Sequence, residues 1–336
     1  MKKILNGKYR LPAVLISLAL LAGCASGAAE SSDSAEGPEE IRLDYAYYSP
    51  TSLVLKEFGW AEEEFEEDGI DVSWTLSHGS NKALEFLNSN SVDFGSSAGA
   101  AALMSKANGA PIKNVYIYSQ PEWTALVKSA ESDIESIGDL KGKRVAATLG
   151  TDPYIFLLRA MAEEGLSQDD VEIVNVQHSD GATTLNNGGV DAWAGLDPHM
   201  ARLEVDSGAE LFYRNPDFNT YGFLNVREAF AEDYPEHVGR VIEVYEKARE
   251  WIQENPEEAA EILMEEAQID QAVAEKQLER NDFSSPVPGA AQHESVLEAG
   301  RILQDSDAIG PDIDVEQLTD DLIDPSYAEE TIESSN

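Results

Sequence analysis

The sequence predicts an α/β fold with mostly parallel sheets and flanking helices, in a chain long enough for two domains. Between residues 41 and 227, short segments rich in β-branched and aromatic residues alternate with helical segments, which is typical of α/β layers. The last third of the chain is predicted to be helical, because apolar residues recur there at helical spacing: Val241, Val244, Tyr245, Ala248 and Ile252. With 336 residues, 42% of them hydrophobic, the chain can bury a core.

The individual elements follow from these patterns. The predicted strands are Leu43–Tyr47, Val72–Leu76, Val92–Gly95, Val115–Tyr118, Ala125–Val127, Val145–Thr148, Val171–Val176 and Val190–Ala194. The predicted helices between and after them are Leu53–Phe65, Lys82–Asn88, Tyr154–Glu164, Pro256–Glu266, Asp270–Arg280 and Gln292–Asp305. Two strand-like stretches, near residues 118–127 and 210–226, are interpreted as crossings of the chain between two lobes.

The first 23 residues are predicted to be a secretory signal. Four basic residues precede an apolar run, Leu11 to Ala22, whose 12 residues are too few to span a bilayer. The following Leu21-Ala22-Gly23-Cys24 resembles the lipobox of bacterial lipoproteins, so we expect Cys24 to carry a lipid anchor on the outer face of the cell membrane. The alternative is an ordinary signal peptide with an incidental cysteine. Residues 24–40 are predicted to be a flexible acidic linker, and residues 326–336 a polar tail.

The charge of the chain excludes some classes of partner. There are 64 acidic and 23 basic residues, for a formal charge of −41, and loss of residues 1–23 changes this to −45. Nucleic-acid binding is therefore not expected, because a phosphate backbone needs a basic surface. We interpret the excess of acid as a sign of a saline or alkaline habitat, in which ions screen the repulsion between like charges.

Five predicted strand ends continue directly into signals for a helix start. In open α/β sheets ligands bind beyond the carboxyl ends of the strands, and helix N-termini there suit an anion without requiring Lys or Arg. The five loops span residues 48–52, 78–81, 95–99, 150–154 and 195–198. The alternative for each polar residue is a helix cap alone, which would suffice to explain Ser49, Ser80, Ser97, Asp152 and Asp197. The nearby aromatic residues could form a cleft wall or belong to the core: Tyr47, Tyr48, Trp123, Tyr154 and Trp193.

The sequence offers little for catalysis. Residues 95–99 match the letters Gly-x-Ser-x-Gly around Ser97, but no histidine and acid partner can be identified for it. The five histidines are scattered without metal-ligand spacing, and the single cysteine, Cys24, belongs to the lipobox. We therefore predict no catalytic residue, no metal site and no cofactor.

Three stretches carry a resemblance to a known family. They are Ser91-Val92-Asp93-Phe94-Gly95-Ser96-Ser97, Ile137-Gly138-Asp139-Leu140-Lys141-Gly142-Lys143-Arg144-Val145-Ala146 and Gly189-Val190-Asp191-Ala192-Trp193-Ala194-Gly195-Leu196-Asp197-Pro198. With them, residues 41–325 resemble the substrate-binding lipoproteins of ABC importers in the aliphatic sulfonate, taurine and nitrate group. The second stretch is common among binding proteins, whereas the third is most similar to sulfonate binders.

The resemblance implies a periplasmic-binding-protein type II fold. Its two lobes would comprise residues 41–121 with 220–325 and residues 122–219, and they would close by a hinge over a ligand in the cleft between them. The implied partners are a sulfonate anion or zwitterion and the permease and ATPase subunits of the importer, with the protein itself a monomer. The implied ligand-binding residues are Ser49, Thr51, Ser52, Gly79, Ser80, Ser96, Ser97, Glu122, Trp123, Thr151, Asp152, Tyr154, Trp193 and Asp197.

One residue departs from the pattern of the sulfonate binders. Asp152 stands where a small hydroxyl residue is expected, and a carboxylate at a helix N-terminus competes with an anionic ligand. The loops at 49–52 and 96–97 could hold the sulfonate instead, or Asp152, Asp197 or Glu122 could face the amine of a taurine-like zwitterion. Alternatively, the ligand is a thiamine-pyrimidine precursor or nitrate. A pyrimidine-forming enzyme of the same fold is a further hypothesis, although such enzymes carry a cysteine cluster that this chain lacks, and a sensory lipoprotein is another.

Overall fold

The computed structural model describes residues 37–335, with the side chains of residues 333–335 left out. The predicted signal segment, Cys24 and nearly all of the predicted linker lie outside the described residues. Two β-sheets with helices packed around them make up the described chain, as the sequence predicts for an α/β fold. No helix among the described residues has the length and hydropathy needed to cross a bilayer.

The first sheet has six strands in the order β11-β4-β10-β3-β1-β2. Its strands are β1 (Glu40–Tyr45), β2 (Asp71–Leu76), β3 (Phe94–Ala98), β4 (Ile112–Pro121), β10 (Gly222–Arg227) and β11 (Asn281–Asp282). Strand β1 pairs in parallel with β2 and β3, whereas β10 runs antiparallel between β3 and β4. The parallel part of the sheet therefore brings the carboxyl ends of β1, β2 and β3 to one edge.

The second sheet has five strands in the order β7-β6-β8-β5-β9. Its strands are β5 (Leu126–Lys128), β6 (Arg144–Ala147), β7 (Glu172–Asn175), β8 (Ala192–Ala194) and β9 (Glu210–Tyr213). Strand β6 pairs in parallel with β7 and β8, and β5 pairs antiparallel with β8 and β9. The chain passes between the sheets twice, from β4 to β5 and from β9 to β10, so both crossings lie at the same side of the molecule. Strands β2 and β7, at the opposite edges of their sheets, lie on the side away from the crossings.

Fourteen helices are described around these sheets. The helices up to residue 207 are α1 (Pro50–Phe58), α2 (Trp60–Phe65), α3 (Ser80–Asn88), α4 (Gly99–Ala107), α5 (Asp152–Glu163), α6 (His178–Asn186) and α7 (His199–Ser207). The remainder are α8 (Glu228–Asp233), α9 (Pro235–Glu254), α10 (Pro256–Ala267), α11 (Gln271–Glu279), α12 (Ala290–Asp305), α13 (Val315–Leu322) and α14 (Ser326–Ser335). The apolar stripe predicted in the last third lies on α9, and all five of its residues are buried.

All eight predicted strands are present, but the sheets are more mixed than predicted. The first strand after each crossing, β5 and β10, runs antiparallel to both of its neighbours. The helix predicted over Leu53–Phe65 is broken at Gly59, which adopts a left-handed conformation with φ of 63° and ends α1.

The boundaries predicted at the two ends of the folded body are wrong. Strand β1 begins at Glu40, within the predicted linker, because this residue pairs with Asp71 of β2. The predicted polar tail is the helix α14, which packs on α9 and buries Ala328 completely. The strands of the two sheets come from the same ranges as the two predicted lobes; the lobe boundaries themselves remain a prediction.

Candidate ligand-binding site

Helix N-termini from both sheets converge at the carboxyl ends of the strands. All five predicted strand-end loops lead into a helix: α1, α3 and α4 start beside the first sheet, and α5 and α7 beside the second. The first backbone N–H groups of a helix have no acceptor within it and carry the positive end of the helix dipole. The shared edge of the two sheets is therefore suited to bind an anion.

The loops of the two sheets are packed against each other in this structure. The rings of Tyr48, after β1, and Trp123, at the first crossing, meet edge to face with centroids 5.7 Å apart. On the side away from the crossings, His178 lies so close to Gly79 that a Cβ at residue 79 would be 2.9 Å from its Nε2 atom. Because these contacts close both sides, the predicted site residues are almost all buried.

Most of the predicted hydroxyl residues are used in hydrogen bonds within the protein. Ser52 donates to the carbonyl of Ser49 at 2.8 Å, and Thr51 donates to that of Tyr118 at 3.2 Å. The Ser80 hydroxyl accepts from the Ala98 N–H, and the Ser97 hydroxyl accepts from the Asn225 side-chain amide. The Ser96 hydroxyl donates to Asp44, and the Thr151 hydroxyl donates to the Thr148 carbonyl. The hydroxyl of Ser97, the central residue of the Gly-x-Ser-x-Gly match, is thus hydrogen-bonded to the side-chain amide of Asn225.

Ser49 differs from the other predicted hydroxyl residues. It occupies the N-cap position of α1, yet its hydroxyl makes no capping hydrogen bond. The residue is completely buried, and its Oγ atom has no hydrogen-bond partner. A buried hydroxyl without a partner costs about 1–3 kcal/mol, so a ligand that bonds to it would recover part of that free energy.

Asp152 is part of the connection between the two sheets, and its role as a ligand contact stays a prediction. Its Oδ2 atom accepts hydrogen bonds from the Trp123 indole at 2.8 Å and from the Thr220 N–H at 3.0 Å. Its Oδ1 atom accepts from the Thr220 hydroxyl at 2.6 Å. Trp123 and Thr220 belong to the two crossings, so Asp152 joins both crossings to the start of α5. Burial raises the pKa of this carboxyl group, and the three donors oppose the rise.

The other two predicted carboxylates are also committed to partners within the protein. Asp197 accepts from the Arg280 guanidinium at 3.1 Å and from the Ala201 N–H at 2.8 Å. Arg280 also contacts Glu204. Burial raises the pKa of Asp197 to about 6, with Arg280 opposing the rise. Glu122 forms a two-point contact with Arg214, at 2.7 and 2.6 Å. None of these carboxylates is placed to receive the amine of a ligand in this structure.

Two predicted aromatic residues lie away from the meeting point of the loops. Trp193 is fully buried in the core beneath α6, where its indole packs against Gly181. Tyr154 donates its hydroxyl to Gln168 at 3.0 Å, and Gln168 in turn donates to the carbonyl of Ser306, directly after α12. Their placement gives no support to a contact with the ligand, whereas Tyr48 and Trp123 lie where the sheets meet.

One residue at this edge was missed by the sequence analysis. His178 follows β7 and starts α6, and it is 1% exposed. Burial, with a smaller contribution from His199, lowers its pKa to about 3, so the imidazole is neutral. The available signal was a sixth strand end that leads into a helix start, Val176-Gln177-His178-Ser179-Asp180, which resembles the five loops that were recognised.

The two-sheet architecture and the edge where the helix N-termini meet are those of the periplasmic-binding-protein fold. Solved structures with this fold include the alkanesulfonate-binding protein SsuA from Xanthomonas axonopodis pv. citri bound to MOPS, with a TM-score of 0.78 and 23% identity over 84% of this chain and 98% of that one. The periplasmic aliphatic sulphonate binding protein SsuA from Escherichia coli gives a TM-score of 0.73 and 22% identity over 84% and 97%. At this identity the likeness establishes the fold.

The chain belongs to the NMT1/THI5-like family, whose model matches residues 56–259. A relative in Bacillus subtilis (strain 168), named for aliphatic sulfonate binding, is 29% identical over 267 residues, which cover 78% of this chain and 80% of the relative. The formylaminopyrimidine-binding protein of Halalkalibacterium halodurans is 25% identical over 265 residues, covering 76% and 78%. The family resemblance and the fold predicted from the sequence are therefore confirmed.

Proposed function

We propose that the protein is the extracytoplasmic solute-binding component of an ABC importer and that it captures a small organosulfonate between its two sheets. The observation that carries the proposal is Ser49: a buried, unpartnered hydroxyl at the N-terminus of α1, at an edge where further helices start. A sulfonate oxygen accepts hydrogen bonds from a hydroxyl and from helix N–H groups. The relatives named for sulfonate binding support the same ligand class.

The placement of the acids favours a sulfonate near α1 over one near α5. Asp152 begins α5 and brings a carboxyl group to that helix N-terminus, whereas the first turn of α1 contains no acidic residue. Like charges repel at short range, so the anionic end of the ligand is best placed beside Ser49. Of the two loops expected to hold the sulfonate together, the one at 49–52 has the free hydroxyl, whereas the hydroxyls of Ser96 and Ser97 are already bonded.

Export and delivery complete the proposal. Cys24 would carry a lipid after removal of residues 1–23, and the tethered protein, a monomer, would pass its ligand to the permease and ATPase subunits. We infer a binding role and not a catalytic one, because the relatives in the comparison are binding proteins. A desulfurization enzyme, DszB, shares the fold with a TM-score of 0.66 at 13% identity, which bears on the fold alone.

A second candidate ligand is a formylaminopyrimidine, as in the named relative from Halalkalibacterium halodurans. The specific feature that favours it is the edge-to-face pair of Tyr48 and Trp123, since aromatic side chains suit a flat ring. Nitrate is a smaller anion that the same helix N-termini would accept.

Thermal unfolding in the presence of candidate ligands tests the proposal. Ethanesulfonate, taurine, nitrate and a formylaminopyrimidine are each added to the protein, with propionate and ethylamine as controls. A ligand at 100 times its Kd stabilises the native state by about 2.7 kcal/mol, which raises the melting temperature by several degrees. The proposal predicts this shift for a sulfonate. A shift only with the pyrimidine or with nitrate would support that alternative, and turnover of any bound ligand would support an enzyme.

A further inference from the structure

The hydrogen bonds of His178 assign its tautomer. Its Nδ1 atom lies 3.2 Å from the Thr148 hydroxyl oxygen, and that hydroxyl donates its one hydrogen to the Val176 carbonyl at 2.7 Å. Thr148 can therefore only accept from His178, so the Nδ1 atom carries the hydrogen. In the neutral imidazole the other nitrogen, Nε2, is then a hydrogen-bond acceptor.

This acceptor is buried and has no donor. The Nε2 atom of His178 is among the buried polar atoms without a partner, and so is the Oδ1 atom of Asn81. The two atoms come from opposite sheets, because Asn81 follows β2 whereas His178 follows β7. Both atoms lie close to Gly79: a Cβ there would be 2.9 Å from Nε2 and 2.8 Å from Oδ1. The two acceptors are therefore less than about 6 Å apart, on the side of the sheets away from the crossings.

We propose that His178 and Asn81 form a subsite that binds an N–H group of the ligand, so that the protein selects aminoalkanesulfonates over plain alkanesulfonates. The inference rests on the proposed function and adds the residues that set specificity. The carboxylates that could receive an amine, Asp152, Asp197 and Glu122, are occupied by donors of the protein. The neutral acceptors at residues 178 and 81 are free, and a ligand with an ammonium group would donate to them.

The neutral acceptors of the subsite suit a hydrogen-bond donor of the ligand and do not suit its sulfonate group. Burial keeps His178 neutral, with a pKa lowered to about 3, so its Nε2 atom presents a lone pair at any physiological pH. A sulfonate oxygen also presents lone pairs, so the two would repel. The sulfonate therefore belongs beside Ser49 and the amine beside His178, which orients the ligand across the cleft.

The test compares matched ligands that differ only in the amine. Calorimetric titrations of the full chain use ethanesulfonate with 2-aminoethanesulfonate, and propanesulfonate with 3-aminopropanesulfonate. We expect the amine to tighten binding about tenfold in at least one pair, as for a hydrogen bond to a charged donor. In His178→Phe the preference should fall below about threefold, while the Kd for the plain sulfonate changes by less than about threefold. His293→Phe on α12, bonded to Asp320, serves as the control that retains the preference.

The outcomes separate the two proposals. Equal binding of both members of each pair by the unaltered protein would overturn the subsite and leave sulfonate capture intact. It would indicate that the side-chain amide of Asn81 itself donates to the Nε2 atom of His178. A preference that survives in His178→Phe would also overturn it, whereas binding of no sulfonate would overturn both proposals. Should His178→Phe not fold, the imidazole ¹⁵N signals of the unaltered protein decide: the Nε2 signal should move with the aminosulfonate and stay unchanged with the plain one.

Discussion

The carboxylate of Asp152 and the indole of Trp123 are joined by a hydrogen bond of 2.8 Å between two fully buried groups. The same carboxylate receives two hydrogen bonds from Thr220, and Asn219 accepts from the Thr124 N–H, so the two crossings are also bonded to each other. Residues from both connections between the sheets therefore meet at one side chain. The role of Asp152 is to hold these connections in place.

Replacing Asp152 with Asn should destabilise the protein. An amide has one acceptor atom instead of two, and its NH₂ group would face donors, so at least one buried group is left without a partner at a cost of about 1–3 kcal/mol. Denaturant unfolding measures the difference, with the exposed Asp133→Asn as a control expected to change stability by less than about 0.5 kcal/mol. An unchanged unfolding free energy in Asp152→Asn would show that the network is not structural.

Replacing Arg280 with Met should weaken ligand binding. Arg280, at the end of α11, forms ion pairs with Asp197 and Glu204 beside the second sheet. Its removal leaves the buried carboxylate of Asp197 without a cation. Breaking a buried ion pair costs about 3–5 kcal/mol, and we expect that loss to fall mainly on the closed arrangement of the sheets. The measurements are ligand Kd, expected to rise at least about tenfold, and the radius of gyration by X-ray scattering, expected to increase. Arg301→Met, which removes an exposed pair with Glu294 within α12, should do neither.

The buried Asp44 should make stability fall as pH rises. Burial raises its pKa from 3.8 to about 7, with the hydrogen bonds that the Ser96 N–H and hydroxyl donate to it opposing the rise. Between pH 4 and 7 the folded chain therefore keeps a proton on Asp44 that the unfolded chain has already released. Each pH unit of this difference corresponds to about 1.4 kcal/mol of stability. Asp44→Asn mimics the neutral acid, so its stability relative to the unaltered protein should increase by a few kcal/mol from pH 4 to 7 and level off above. A constant difference across this range would contradict the assignment.

Salt should stabilise the protein. The chain carries 64 acidic residues against 23 basic, and mobile ions screen the repulsion between them. We expect the melting temperature to rise as sodium chloride increases from about 0.01 to 1 M, over which the screening length falls from about 30 to 3 Å. Addition of sucrose at equal osmolality is the control for effects other than screening. A flat or falling trend would contradict the proposed saline or alkaline habitat.

The helix starts at the candidate site could be predicted from the sequence because their signals are local. Pro50 and Pro153 occur in the first turns of α1 and α5, and Ser49 and Thr151 stand at their N-cap positions. Local spacing also places the buried stripe of α9. The positions of the five strand-end loops thus followed from a few residues around each strand end.

The partners of the side chains in those loops could not be predicted. Asp152 and Trp123 are 29 residues apart, and Asp197 and Arg280 are 83 apart, so each pairing depends on how the two sheets are placed. Conversely, the strand-end pattern at His178 indicates only that a helix starts there, and the contacts of its side chain depend on Thr148 and Gly79 being brought beside it by different sheets. Local sequence patterns place a residue at the start of a helix, whereas the tertiary fold determines which side chains it contacts.

Calorimetric titration of Ser49→Ala tests most directly whether an organosulfonate binds between the sheets at Ser49. Because the buried Ser49 hydroxyl has no partner in the protein, its removal relieves the cost of burying it and should leave the melting temperature of the free protein unchanged or raise it by a few degrees. Loss of its hydrogen bond to the sulfonate should weaken binding by about tenfold. Ser52→Ala, which removes an internal hydrogen bond, should instead lower stability. We expect the unaltered protein to bind sulfonate at one site and the Ser49→Ala variant to bind it at least tenfold more weakly. Equal affinities for the two proteins, or no binding by either, would contradict a sulfonate site at Ser49.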